Sequence, residues 1–371
     1  MSLGSADAQF MAEALQLAEL GRYTTAPNPV VGCVIVHDGV VVGRAFHEYA
    51  GGPHAEIVAL AQAGDRARGA TIYVTLEPCC HTGRTGPCTQ VLLDKGVARV
   101  VVAMEDPNPR VSGSGIRQLR EAGVDVEVGL MSDAALALNP GFVARMRRGR
   151  PFIRVKTAAS LDGGTALETG ASKWITGPDA RQDVQWLRAR SQAVVTGIGT
   201  VCSDDPQLTV RDENILNQIG PRFRPPVRVV IDTRLRLEPT ARLFESPGEV
   251  IVFCGMASSA RVRALNKAGA TVITCPDIAQ QVDLDAVLKN LAAREINEVL
   301  VEAGAKLTGS FLSAARVDEL IVYQSACLLG HTSVRMAQLP GLKDLSERRL
   351  WYWADIRKVG DDLRLTARPR T

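Results

Sequence analysis

The stretch Leu76–Cys88, LEPCCHTGRTGPC, decides the fold. The apolar run TIYVTL (71–76) leads into it and reads as a buried strand, while 89–95, just beyond, reads as a short helix. Three of the eight cysteines and one of the five histidines fall inside it. Working outward, HAEIVALAQAG predicts a helix from His54 to Ala63 ended by Gly64, and ARVVVAM (98–104) a second buried strand. Upstream, apolar positions at helical spacing cover 6–20, and VVGCVIVHDGVVVGRAF reads as strands 30–36 and 40–46 joined at Asp38-Gly39. Downstream come a helix (115–122), a strand (124–128) and a helix (132–146), completing one α/β unit of ordinary domain size.

Set beside the helix that His54-Ala55-Glu56 opens, the cysteines acquire a purpose. One histidine and two thiolates make a three-ligand zinc site, whose fourth position holds water acidified to about pKa 7. Glu56, two residues from His54, can shuttle protons without being a ligand. H-x-E…P-C-x-x-C is the signature of zinc nucleobase deaminases. Here the spacing departs from it: Thr82 stands where the second cysteine belongs, and the next thiol is Cys88. Cys79 and Cys80 are adjacent, so their side chains diverge. Cys88 follows Pro87 where a helix begins, and a helix N-terminus favours a thiolate. The ligand set is therefore His54, Cys79 and Cys88, with Cys80 unliganded nearby and His81 a weaker substitute for a thiol.

A chain of 371 residues is too long for one ordinary core, and 46% hydrophobic with 22% charged residues supplies two. The arginine-rich segment RMRRGRPFIR (145–154) marks the boundary, giving domains 1–148 and 149–371. In the second half, strands are expected at 152–158, 192–196, 227–231, 249–254, 270–275, 297–302 and 319–323. Helices are expected at 178–190, 259–268, 283–294 and 304–314, with 211–226 a polar loop. This is a second α/β domain with a mostly parallel sheet. It has no G-x-G-x-x-G. Instead, three strands run into glycine-rich ends, at Lys156–Gly163, Thr196–Thr200 and Glu302–Ser310, which suggests a shared ligand cleft. Asp162 is either a general acid there or the cap of a turn.

Several motifs are similar to those of the bacterial riboflavin-biosynthesis bifunctional deaminase/reductase family. They are Asn28-Pro29-Xaa-Val31-Gly32, Gly43…His47, His54-Ala55-Glu56 and Glu77-Pro78-Cys79…Gly83-Arg84-Thr85-Xaa-Pro87-Cys88. The GRT-bearing insertion between the cysteines is characteristic of that family. VKTAASLDG, SKWIT, GIGTV and DDPQLTVR carry the resemblance into the second half. It implies a cytidine-deaminase-like α/β/α domain followed by a dihydrofolate-reductase-like α/β domain. The first would deaminate a phosphoribosylamino-diaminopyrimidinone with zinc, Glu56 relaying protons and Asn28, His47 and Arg84 contacting substrate. The second would use NADPH to reduce the ribosyl group to ribityl. By the same resemblance, Ala158, Trp174, Thr200, Asp204 and the turn Gly304, Ala305, Lys306, Leu307, Thr308, Gly309, Ser310 meet NADPH. Lys156, Ser172, Arg188, Leu208, Arg211 and Glu302 meet the substrate.

Two other readings compete. One is a nucleoside or tRNA-base deaminase fused to an unrelated domain, which calls for a basic face that a net charge of +3 does not promise. The other is a non-catalytic zinc module, which would have no use for Glu56. No run of about 18 apolar residues and no secretory leader is visible. Scattered cysteines fit a reducing cytoplasm. Small-molecule substrates, no nucleic acid and no membrane are expected, with a homo-oligomer left open.

Overall fold

The Asp38-Gly39 pair has φ of 49° and 76°, the two left-handed residues that a tight hairpin requires. It joins β1 (Gly32–His37) to β2 (Val40–Phe46) in antiparallel register. The structure, a computed structural model, describes residues 4–80, 86–109 and 111–370, in two units, Met1–Arg150 and Pro151–Thr371.

In the first unit the sheet runs β2-β1-β3-β4-β5, with β3 (Thr71–Val74), β4 (Arg99–Val102) and β5 (Asp125–Val128) mutually parallel. The three central strands, β1, β3 and β4, are buried at nearly every position because helices cover both faces. One face packs Ile35, Ile72 and Val100 against α2 (Ala55–Ala63), α3 (Cys88–Asp94) and α4 (Ser114–Glu121). The other packs Val34, Tyr73 and Val101 against Met11 and Leu15 of α1 (Ser5–Glu19) and Ala135 of α5 (Ser132–Leu138). Gly43 makes room for α2: a Cβ there would lie 2.3 Å from the Ala59 carbonyl oxygen. The helix expected over 132–146 is instead two, α5 and α6 (Pro140–Arg148). Pro140 cannot donate into a continuing helix, and the Asn139 side chain is committed elsewhere. Its Oδ1 accepts from Val30 N–H at 2.8 Å and its Nδ2 donates to Val30 O at 2.9 Å.

The second unit begins with β6 (Phe152–Ser160) and short β7 (Gly164–Ala166), then α7 (Pro178–Arg190), β8 (Ala193–Gly197) and α8 (Ile198–Asp204). Next come α9 (Glu213–Ile219), β9 (Val227–Ile231), β10 (Val250–Cys254), α10 (Ser259–Lys267) and β11 (Ala270–Thr274). The chain continues through α11 (Leu284–Ala293), β12 (Glu298–Glu302), α12 (Ala305–Ser313) and β13 (Glu319–Ser325). It closes with β14 (Val334–Arg335), β15 (Trp351–Val359) and β16 (Asp362–Pro369). The main sheet is β11-β10-β9-β8-β12-β6-β13-β16-β15. All pairings up to β13 are parallel, and the β15–β16 hairpin adds antiparallel to its edge. This is the dihydrofolate-reductase-like architecture.

Two further features depart from the sequence reading. The segment 211–226 is not all loop, because Asp212 accepts from the N–H groups of Asn214 and Ile215 and starts α9. The hairpin 351–369 went unpredicted; β15 is solvated over most of its length, so its side chains show no two-fold alternation. Inside the sheet, Arg154 is 1% exposed and held between Glu298 and Glu319, with Nε at 2.7 Å from the latter. Burying one charge demands such partners.

Candidate functional site

In the first unit, β3 ends at Val74 and the chain runs through Glu77-Pro78 to present Cys79, while Pro87 caps α3 and puts Cys88 in its first turn. Glu77 fixes this strand end. Its buried carboxylate accepts from the N–H groups of Asp106, Gly113 and Gly115 at 3.0, 2.9 and 2.8 Å, and from Ile116 at 3.3 Å. His54 caps α2 and Glu56 lies in its first turn. One ligand atom each from His54, Cys79 and Cys88 lies within 4.8 Å of the others. His54 Nδ1 is 3.2 Å from Cys88 Sγ and 3.5 Å from Cys79 Sγ, and the Cys88 N–H points at Cys79 Sγ from 3.4 Å.

The hydrogen bond from the Cys88 thiol, with His54 and the Cys88 amide, brings Cys79 down to about 4, and the same bond pushes Cys88 well up. One sulfur holds the negative charge and its neighbour keeps the proton. A divalent cation replaces that shared proton and lets both ionise, so imidazole plus two sulfurs fits zinc. Glu56 is 3% exposed; burial raises its pKa, and His54 pulls it only part of the way back. Its carboxyl can hold a proton as well as give one. Cys80 lies outside the group.

His47 joins from the end of β2. Its Nδ1 is 3.0 Å from the Pro53 carbonyl, so that nitrogen donates and Nε2 accepts from Asn28 Nδ2 at 3.1 Å. Burial lowers the His47 pKa and keeps the ring neutral. Its ring meets that of His54 edge-on, 5.5 Å between centroids. Asn28, His47, His54, Glu56, Cys79 and Cys88 thus gather in one place. Arg84 and His81 lie outside the described residues.

In the second unit, strands end at a cleft of about 1230 Å³, generous for a small-molecule site. Thr200, Gly304, Ala305, Lys306, Leu307 and Ser310 line it. Thr200 Oγ1 accepts from Gly304 N–H at 3.2 Å, tying two strand ends together. Gly304 caps α12 without a side chain, which leaves the first-turn amides of that helix for an anion. The residues therefore fit a dinucleotide. Thr308 and Gly309 face the other way and are buried, and Asp204 lies at the far end of α8. Ala158 and Trp174 do not line this cleft. Trp174 is 67% exposed with Arg181 stacked 4.5 Å from its ring centroid, so it is no core aromatic. Ser172 is half-buried just before it.

Close by in the sequence motifs, Arg188 is not free for phosphate. It forms a two-pronged ion pair with Glu302 at 2.6 and 3.0 Å and donates to Thr209 O at 3.0 Å. Burial raises Glu302, but Arg188 and Lys156 bring it below the usual carboxylate range. Lys156 is half-buried beside both, and its loss of solvent depresses its pKa. Arg211 is exposed and faces the same pair. Leu208 is 2% exposed in the core, so only its backbone is available. Asp162 is a turn cap: its carboxylate accepts from Ser160 Oγ and from Leu329 and Gly330 N–H, which hold it down to about 2. The sequence reading passed over the end of β9, where Thr233, Arg234 and Arg236 also line the cleft. The only signal there is charge alternating with leucine in DTRLRL.

A buried acid beside a His/Cys/Cys cluster, on one sheet, and a strand-end cleft, on another, define a zinc deaminase joined to a nucleotide-dependent reductase. The comparisons agree. Residues 5–104 match the model of the cytidine and deoxycytidylate deaminase zinc-binding region, and 151–365 that of the RibD C-terminal domain. The riboflavin biosynthesis protein RibD of Haemophilus influenzae is 46% identical over 100% of this chain and 99% of its own, and that of Escherichia coli 47% over 96% and 98%. The solved RibD of Acinetobacter baumannii is 43% identical with a TM-score of 0.91, covering 99% of both chains. A Thermotoga maritima structure described as a diaminohydroxyphosphoribosylaminopyrimidine deaminase/5-amino-6-(5-phosphoribosylamino)uracil reductase is 34% identical, TM-score 0.85, covering 98% of this chain and 99% of that one. The chain belongs to the RibD family, and is a bifunctional deaminase and reductase of riboflavin biosynthesis that uses zinc and NADPH.

Proposed function

We propose that the first domain (1–148) converts 2,5-diamino-6-(5-phosphoribosylamino)pyrimidin-4(3H)-one to 5-amino-6-(5-phosphoribosylamino)uracil. The second (149–371) then reduces the ribosyl group to ribityl. The observation that carries the reading is the convergence of His54, Cys79 and Cys88 within 4.8 Å beside the buried Glu56. Zinc held by those three residues supplies an acidified water as nucleophile. Glu56, with its raised pKa, takes a proton and delivers it to the leaving amine, so that water is added and ammonia lost. Because Asn28 Nδ2 is spent on His47, Asn28 Oδ1 is left to accept from an N–H of the pyrimidine. Arg84 is assigned to the substrate by family resemblance.

In the second domain NADPH supplies the hydride. Glu302, locked by Arg188, accepts from ribose hydroxyls, and the exposed Arg211 takes the phosphate that Arg188 cannot. Lys156, whose pKa desolvation lowers and which faces Glu302 and Arg188, is assigned to the substrate as the group that answers charge developing during hydride transfer. Thr200 and the Gly304–Ser310 turn hold NADPH, while Ala158, Trp174 and Asp204 contribute from outside the cleft lining. All eight cysteines are free thiols, which supports a reducing cytoplasm as the place of work.

The test supplies the diaminopyrimidinone ribotide to zinc-loaded protein, following ammonia release and NADPH oxidation separately. Ammonia should appear without NADPH, and oxidation only after it. Absence of ammonia would sink the first assignment; ammonia without oxidation would sink the second.

A further inference from the structure

We propose that Tyr323 is a positioning residue of the reduction: its ring, pinned by Asp183 and Arg364, holds the Lys156 ammonium in place opposite Glu302. The inference rests on the reading that Lys156 serves the substrate during hydride transfer.

Sheet register puts these groups in one row. Lys156 of β6 stands beside Glu302 of β12, and Ala158, two residues on and so on the same face, stands beside Tyr323 of β13. Tyr323 in turn stands beside Arg364 of β16. Helix α7 covers that face through Ala180, Val184 and Leu187. It sends Arg188 to Glu302 at one end of the row, and Asp183 to Tyr323 and Arg364 at the other.

Lys156 has no rigid partner of its own. Loss of solvent opposes its charge, Glu302 on β12 favours it, and Arg188 on α7 opposes it again. Among the described residues its Nζ makes no ion pair, because Glu302 is already taken by Arg188. The remaining group that faces it is the Tyr323 ring, whose centroid is 6.0 Å from Nζ, at the limit of a cation–π contact. A point charge on a flexible four-carbon stem can swing widely. The wall it rests against therefore decides where that charge stands.

That wall is stiffened by polar groups. Tyr323 is fully buried. Burial and the Asp183 carboxylate push its hydroxyl well above the usual range, so it keeps its proton and donates to Asp183 Oδ2. The same oxygen accepts from Arg364 Nη1 at 3.0 Å. Two residues before Arg364, the buried Asp362 carboxylate accepts from the Gly177 N–H at 2.7 Å, so β16 grips α7 at its start as well. An apolar side chain would fill the place of Tyr323 without the cost of taking a hydroxyl out of water. What the tyrosine adds is a π face that cannot turn away from Lys156.

The experiment follows NADPH reduction of the deaminated intermediate by the full zinc-loaded chain. Alongside it, NMR with Cε-labelled lysine titrates Lys156, whose signal is the one lost in Lys156→Met. Tyr323→Leu removes the π face and keeps the core apolar. It should lower kcat about 10- to 100-fold, with KM for NADPH within about twofold. It should also raise the acid dissociation constant of Lys156 roughly tenfold, because the cation loses its support. Tyr323→Phe keeps the face but frees it from Asp183, and should lose only about two- to tenfold in kcat. A parental kcat in Tyr323→Leu would overturn the proposal. So would a fall in kcat with the Lys156 titration unmoved, which is what a merely structural residue gives. If Tyr323→Leu no longer binds NADPH, Tyr323→Phe decides, and a parental kcat there is the overturning result. Lys156→Met tests the reading beneath: reduction at the parental rate would remove Lys156 from the reaction. An inactive Lys156→Met beside normal tyrosine variants would remove only the positioning.

Discussion

The two domains build their sites from different materials. In the first, the proposed chemistry is concentrated in side chains: the imidazole of His54, the sulfurs of Cys79 and Cys88 and the carboxyl of Glu56. In the second, the site is mostly an arrangement of strand ends, where Gly304 and Thr200 contribute backbone room and one hydroxyl. A metal centre is therefore sensitive to identity at single positions. A dinucleotide cleft is sensitive to the order of strands and to a few charges around its rim.

That contrast can be broken most directly at the metal. Cys79→Ser and Cys88→Ser should each strip zinc, seen by metal analysis, and abolish ammonia release while NADPH oxidation on supplied intermediate continues. Cys80→Ser should keep its zinc; depletion there and not in Cys88→Ser would reverse the ligand choice. A step smaller, Glu56→Gln should retain zinc yet lose about 10²- to 10⁴-fold in the deamination rate, with reduction untouched. Loss of both activities would deny that the sites are independent.

On the reductase side, Glu302→Ala leaves Arg188 buried without its partner. It should cost about 3–5 kcal/mol of stability, read as a lowered unfolding transition, and abolish reduction while ammonia release persists. The smallest effect concerns a purely structural network. Asp7 is pushed up by burial, but Arg99, the Gly4 N–H and Tyr73 outweigh that and bring it from 3.8 to about 2. Its folded pKa is depressed, so its stabilisation is present above 3.8 and is lost as pH falls toward about 2. Asp7→Asn should therefore destabilise the first domain by about 1–2 kcal/mol at neutral pH. The difference from the parent should vanish through that acid window in denaturant titrations.

The contrast also explains what could be read without coordinates. The His54, Cys79 and Cys88 cluster was legible because metal-binding chemistry demands particular residues at strand ends and helix starts. The break at Asn139-Pro140 was not, since it depends on a long-range pair of bonds from Asn139 to Val30. Helix α9 was hidden by polar residues whose organising element is a single cap, Asp212. In the sequence Arg188 is one of several arginines on a helix, and its pairing with Glu302, 114 residues away, exists only in the fold. The place of Arg234 and Arg236 on the cleft wall depends on the sheet order that sets β9 beside β8.

Glu77 has a consequence for how the metal arrives. Its carboxylate gathers four amides from the 106–116 region directly behind Cys79, so that part of the socket is shaped by bonds owing nothing to zinc. Small zinc domains spend binding energy on folding and collapse under chelators. A chelated sample of this protein should stay folded and lose only deamination, regaining it on return of the ion, with the ion's supply rather than the fold deciding when the first reaction runs.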